Sequence, residues 1–356
     1  MKIIVDVMGG DHAPQETVAG LLQAMAAYDS AIEYIVVGDE QRIRQIAADA
    51  HHSLDGVRIV HAEEVITMED DPVCVVRTKK NSSMATALRL LHDGEGDAMV
   101  STGNTGALFT GAMLIVKKIK YLQRAGIASI LPMKNQVLLL DTGANVEVTE
   151  ENLEQFAYMG AAYMKSLYGI ENPRVGLLNN GAEEHKGTPL QQATYQRLSA
   201  NPDINFVGNV EGSTAARGVC DVLVTDGFTG NILLKTVEGT GKYILSLIKD
   251  AFTSSVAGKM AYLLVKGPLS AMKKKLDPNE VGGAPILGIA KPVIKAHGSS
   301  NAKAFKNAIG QAISYAQSGA IDQISEAMAA IDAEKKARKL AQKADTPSAD
   351  QGQAQE

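Results

Sequence analysis

The chain has no tryptophan, 4% aromatic residues and two cysteines among its 356 positions. So few aromatics leave little surface on which to stack bases, which argues against a platform for single-stranded nucleic acid. Cys74 and Cys220 lie far apart and form no CxxC pair, so they read as reduced core thiols of a cytosolic protein rather than a disulfide or metal pair. No uncharged run approaches the roughly 20 apolar residues of a membrane span. Met1 opens directly into a strand pattern with no apolar signal segment, and the expectation is a cytoplasmic protein. A net charge of -5 supplies no overall field for a polyanion, so any basic function is local. Nucleotide fingerprints are missing too. No GxxxxGK(S/T) stretch occurs, and Gly239-Thr240-Gly241 runs on into Lys242-Tyr243-Ile244 inside a helical pattern, which fails the dinucleotide GxGxxG test. Neither ATP nor NAD has an obvious seat.

What the chain does have is one device used at least six times: a short β-branched run, then a loop of Gly with Asn, Asp, Ser or His, then a helical pattern. The runs Ile3 to Val7, Ala98 to Val100, Val137 to Leu140, Val175 to Leu178, Val222 to Val224 and Val293 to Lys295 all end this way. Helical patterns at 16–28, 83–92, 150–168 and 190–198 alternate with them. That alternation predicts an α/β fold, a three-layer α/β/α arrangement around a mostly parallel sheet, with ligands bound beyond the carboxyl ends of the strands where the loops gather. Residues 1–330 form the α/β domain, as one large domain or two lobes. The chain turns charged and helical from about 331, and the end from Thr346 onward reads as a disordered tail.

Glycine in such loops lets backbone N–H groups approach a ligand, and the helix that follows aims its positive end at the same point. Ser101 to Gly106 has this form, with Thr102, Asn104 and Thr105 as added donors, and His297, Gly298, Ser299 and Ser300 repeat it. The ligand they suit is a small anion. The loop acids Asp6, Asp11, Asp141, Glu183, Glu184, Glu211 and Asp226 could hold magnesium, but an Asp at a strand's end more often caps neighbouring N–H groups, so no metal is expected. Lys186 and His297 stand out as polar groups able to do electrostatic work on a phosphate or a developing thiolate.

Two acid-free basic stretches remain. Residues 251–276 carry Lys259, Lys266, Lys273, Lys274 and Lys275 around an apolar stripe that Gly267-Pro268 interrupts, which predicts a basic amphipathic helical hairpin for anionic lipid, an acidic partner or a dimer interface. Lys117, Lys118, Lys120 and Arg124 form a second cluster, read as a surface turn.

The loops together resemble the PlsX phosphate acyltransferases. MGGDHAP at 8–14, KKNSSM at 79–84, GNTGAL at 103–108, LDTGAN at 140–145, GLLNNGAEEHKG at 176–187, GNVEG at 208–212, VTDGFTGNILLKTVEG at 224–239, GGAPILG at 282–288 and VIKAHGSS at 293–300 follow that family's order. Ser213-Thr214 depart from the charged pair expected after GNVEG. The resemblance implies a cytosolic, peripherally membrane-associated homodimer with a fold similar to phosphotransacetylase and to the isocitrate and isopropylmalate dehydrogenases. It implies an enzyme that converts fatty acyl-acyl carrier protein and inorganic phosphate to acyl phosphate, for a membrane glycerol-3-phosphate acyltransferase, with no cofactor. Phosphate is then placed at Thr102, Gly103, Asn104, Thr105 and Gly106 and at His297, Gly298 and Ser299. Asn231 and Asn179 become candidate donors, Lys186 neutralises the tetrahedral species, His297 protonates the thiolate, and Asp226 and Gly227 join the substrate set. The basic stretches become docking sites for the acidic carrier or for membrane. A coenzyme A phosphotransacetylase, a metal-dependent decarboxylating dehydrogenase and a membrane scaffold are the alternatives.

Overall fold

The computed structural model of the protein describes residues 1–132, 135–276, 280 and 282–344. The first elements are β1 (Lys2–Asp6), α1 (Gln15–Ala27), β2 (Glu33–Gly38), α2 (Glu40–Asp49), β3 (Arg58–His61) and α3 (Ser83–His92). Next come β4 (Ala98–Ser101), α4 (Thr105–Gly111), β5 (Gly126–Pro132), β6 (Gln136–Leu140), α5 (Glu150–Tyr168) and β7 (Val175–Asn179). There follow α6 (Pro189–Ser199), β8 (Phe206–Glu211), α7 (Gly212–Ala215), β9 (Val222–Val224), α8 (Gly227–Thr253) and α9 (Val256–Leu276). The last are β10 (Gly283–Leu287), β11 (Val293–Ala296), α10 (Ala302–Gln317) and α11 (Ala320–Ala344).

Helix starts sit where the capping side chains put them. Ser82 accepts from the Ala85 N–H ahead of α3, Asn301 from the Ala304 N–H ahead of α10, and Thr149 with Asn152 closes a capping box on α5. Pro189 follows Thr188 at the start of α6, where its missing N–H is no loss.

All eleven strands share one sheet, in the order β3-β2-β1-β4-β11-β10-β5-β6-β9-β7-β8. Side chains alternate along each strand, so the sheet has two apolar faces and needs helices on both. In β1, Ile3 and Val5 join the larger core with α1, α5 and α10, while Ile4 joins the second core with α3 and α4. The three-layer α/β/α arrangement follows.

The sheet is mostly parallel, yet its centre is not. β11 with β10, β10 with β5, and β5 with β6 pair antiparallel, while the flanking pairs are parallel. Three reversals leave β6, β9, β7 and β8 running opposite to β1 to β4 and β11. The expected gathering of every Gly loop at one edge is therefore corrected: loops after β4 and β11 belong to one edge, and loops after β6, β7 and β9 to the other.

The hairpin expected within 251–276 also differs. α9 runs unbroken from Val256 to Leu276 with Pro268 inside it, and its partner is α8, which turns back at Ser254 and Ser255. The charged end of the chain begins within α11, and the segment from Thr346 lies outside the described residues. No helix among the described residues is long and apolar enough to cross a membrane.

Candidate active site

The loops after β1, β4 and β11 are locked to one another. β4 and β11 are neighbours with Lys295 opposite Ser101. The Asp11 N–H donates to the Gly298 carbonyl at 2.9 Å, and the Thr102 hydroxyl donates to the Gly9 carbonyl. Gly9 is obligatory here, because a Cβ on it would lie 2.5 Å from the Cα of Gly103. Buried Asp6 holds the group from beneath, accepting from Ser101 Oγ at 2.6 Å and the Met8 N–H at 3.2 Å. Its carboxyl is pushed up by desolvation against those bonds. The segments around Asn104 and Ser299 thus share one wall.

Much of the polar inventory of these loops is spent inside the protein. Asn104 accepts from the Ala107 N–H at 3.0 Å, capping α4, and its amide donates to the carbonyls of Thr67, Met68 and Asp70 at 3.1 to 3.2 Å. Thr102 and Gly103 are similarly engaged, the Gly103 N–H with Ser101 Oγ at 3.1 Å. Gly106 packs against Pro72. Of the expected phosphate loop residues, Thr105 and Gly298 reach the cavity lining. Ser299 stands behind them, with its Oγ 2.8 Å and its N–H nitrogen 3.2 Å from His297 Nδ1. Nδ1 is thereby held, and Nε2 is left for the cavity.

The opposite wall comes from the loop after β6 and from α8. Asp141 closes that loop, accepting from the N–H groups of Ile127, Gly143, Ala144 and Asn145 and from Asn145 Nδ2, at 2.7 to 3.2 Å. Burial raises its pKa and these donors oppose the rise. Asp226 caps α8 through the Thr229 N–H and hydroxyl, both at 2.8 Å, and the Gly227 N–H donates to the Asn145 carbonyl. Asp226 and Gly227, placed in the substrate set by the family resemblance, build the helix start and do not line the cavity. At Gly230 a Cβ would stand 1.9 Å from the Asp141 carbonyl oxygen, so glycine lets α8 seat directly on the loop. That seating turns Asn231, Lys235 and Glu238 toward the cavity at helical spacing.

The cleft between these walls, open to solvent on one side, has a volume of about 580 Å³. Asp11, Thr105, Lys295, His297 and Gly298 line it from the β1, β4 and β11 side, and Thr142 and Gly143 of the β6 loop with Asn231 of α8 line it from the other side. Ile127, Ile130, Pro132, Leu234, Val237 and Ala284 provide an apolar remainder. Partial burial, then the Lys235 and Lys295 charges, hold His297 below the usual histidine range. Lys235 is paired with Glu238 at 2.9 Å.

His297 and Asn231 are thus brought together, while Lys186 and Asn179 are not. Both sit at the loop after β7, with Asn179 Nδ2 donating to the Lys186 carbonyl at 3.2 Å and the Lys186 side chain exposed. Neither lines the cavity, because β7 lies two strands beyond β6. Sequence reasoning missed Lys235 and Lys295 as site residues. Each had a signal: Lys235 follows Asn231 by four residues on a helix, and Lys295 is a charge inside an otherwise apolar strand. Among the described residues no cluster of three or more His, Cys, Asp or Glu could hold a metal ion.

Residues 1–323 match the model of a family described as Fatty acid synthesis protein. A phosphate acyltransferase of Acetivibrio thermocellus is 45% identical over 335 residues, which covers 94% of this chain and 98% of the relative. One from Streptococcus pneumoniae is 46% identical, over 87% of this chain and 93% of its own. Among solved structures, a phosphotransacetylase from Streptococcus pyogenes superposes with a TM-score of 0.57 at 19% identity, covering 88% of this chain and 94% of that one. A branched-chain phosphotransacylase from Enterococcus faecalis gives 0.54 at 15% identity, covering 89% of this chain and 100% of that one.

Proposed function

The chain belongs to the fatty acid synthesis protein family and is an acyltransferase, and from that premise we propose that it moves a fatty acyl group from acyl carrier protein to inorganic phosphate for phospholipid synthesis. The observation that carries this reading is the make-up of the cavity: hydrogen-bonding groups with the Lys295 ammonium among them, beside aliphatic side chains, in one continuous space. A phosphate and the carbonyl end of a fatty chain are the pair of groups that such a space suits.

Phosphate is itself the nucleophile, so no acyl-enzyme is required. An unprotonated phosphate oxygen attacks the thioester carbonyl carbon, the carbon–sulfur bond breaks, and the electron pair leaves on sulfur. Hydrogen phosphate carries one proton and the departing thiolate needs one, so the step balances if that proton is relayed. His297 is neutral at the outset with its proton on Nε2, because Nδ1 accepts from the Ser299 N–H; Nε2 gives that proton to the departing sulfur and recovers the phosphate's proton in the same exchange. Asn231 donates to the carbonyl oxygen as it gains charge, and Thr105 and the Gly298 backbone hold the phosphate. Lys186 is outside the cavity, so its part requires the loop from Asn180 to Gly187 to fold over a carrier-borne thioester.

The acidic carrier is received at Lys117, Lys118, Lys120 and Arg124 or along α9, by charge complementarity. Exposed apolar residues on α8, including Phe228, Ile232 and Tyr243, suit a second copy of the chain, and those on α9 suit an anionic membrane surface. The protein then works in the cytoplasm at the membrane, handing acyl phosphate to a membrane glycerol-3-phosphate acyltransferase. Supplying palmitoyl-carrier protein with phosphate and trapping acyl phosphate with hydroxylamine tests the reading. Phosphate-dependent hydroxamate is expected, with little from acetyl coenzyme A; product from the coenzyme A ester alone would overturn the carrier assignment.

A further inference from the structure

Lys295 has a setting that the fold alone does not explain. It lies on β11 near the middle of the sheet, 7% exposed, between apolar neighbours Ile294 and Ala296. Its ammonium has three N–H donors, of which two go to backbone carbonyls, Thr102 at 3.2 Å and Ala296. No carboxylate among the described residues comes within 4.0 Å of it. A buried ammonium ordinarily has an ionic partner, since an uncompensated one is expensive to desolvate. The residue lines the cavity beside His297 and Gly298. Its bond to the Thr102 carbonyl also ties it to the loop that carries Thr105.

The geometry points to Lys295 as the counter-charge of the bound oxyanion: phosphate in this cavity completes the ion pair that the protein leaves open. The assignment rests on the acyl-transfer reading above for the identity of the anion, and on this buried unpaired charge for the rest. It also gives Lys295 a second task, since an ammonium drawn toward phosphate remains bonded to Thr102 and so sets the position of the β4 loop. The charges that face it are Asp6 and Asp11 from the β1 side, His297 on its own segment, and Lys235 with Glu238 on α8 across the cavity. On the opposite face of β11 the packing is apolar, through Phe305 and Ala308 of α10. Burial draws the Lys295 pKa from 10.5 down to about 8, so the charge is present at neutral pH and titrates just above it. His297 titrates below its ordinary value and does not overlap.

Binding of inorganic phosphate and of sulfate to the whole chain, read by calorimetry, tests this. Sulfate keeps its charge across the range, which separates the protein's titration from that of the ligand. For the unaltered protein, sulfate affinity should fall about tenfold between pH 7 and pH 9, as binding comes to require uptake of a proton by Lys295. Lys295→Met should weaken both anions at least tenfold at pH 7, lose that pH dependence, and raise the KM for phosphate in the hydroxamate assay. Sulfate affinity equal at the two pH values, or undiminished phosphate binding by Lys295→Met, overturns the assignment while leaving acyl transfer intact. If the unaltered protein binds neither anion and forms no hydroxamate, the assignment and the acyl-transfer reading fail together. The pH comparison needs no variant, so it decides the matter even if Lys295→Met does not fold.

Discussion

His297 and Lys295 are two residues apart, yet the structure gives them different electrostatic positions. His297 stands at the cavity wall with Nδ1 held by Ser299, and desolvation with two nearby ammonium groups keeps its pKa below 6.5. The sign follows: its ring is neutral at pH 7, and as pH falls through a value below 6.5 a proton added at Nδ1 opposes the Ser299 N–H, so the ring loses its hold and the relay is lost. Activity should therefore carry an acidic limb lower than an ordinary histidine would give. His297→Ala should abolish that limb and reduce turnover by roughly a hundredfold or more, the range of a single general acid–base group; an unaltered pH–rate profile would remove His297 from the mechanism. In the sequence, His297, Thr105 and Gly298 were legible as parts of glycine loops that follow strands, and Asn231 only through the family resemblance; all four line the cavity. Asn104 was legible only as a donor. Its three carbonyl partners come from a loop more than 30 residues away, and no local pattern reports such a contact.

α8 depends on one missing side chain. Gly230 meets the Asp141 carbonyl where a Cβ would sit 1.9 Å from oxygen, and backbone, unlike a flexible side chain, cannot step aside. Gly230→Ala must lift the first turn of α8 from the β6 loop, which carries Asn231 out of position. A loss of stability of about 1–3 kcal/mol is expected from such overpacking, with a larger proportional loss of kcat; chemical denaturation alongside the hydroxamate assay would measure both. Helices were the best-read elements. α3 and α5 occupy the ranges expected of them, since periodicity and caps are both local signals. The break expected at Gly267-Pro268 does not occur, as α9 carries Pro268 within it. The short central strands were harder, because β5 and β10 are set by pairing with distant segments.

At the scale of the whole molecule, α8 and α9 leave the body of the fold with a large apolar surface. Leu263 is 72% and Leu264 86% exposed on α9, next to Lys259 and Lys266, as on a helix that rests in a lipid interface. Leu263→Glu with Leu264→Glu should release the protein from anionic vesicles in a flotation assay and leave activity on soluble carrier substrate within a few fold; retention on the vesicles would assign this surface elsewhere. Composition and local pattern were enough for the layer architecture, for six of the eleven strands among the described residues and for four of the helices, and for the glycine loops suited to an anion, because each depends on residues within a turn or a strand of one another. Strand order in space, the three central reversals, and the meeting of the β4, β6 and β11 loops with α8 around one cavity were decided only in the folded molecule. The isolation of Lys295 among carbonyls belongs with them, since whether a buried charge has a partner depends on which distant segments pack around it.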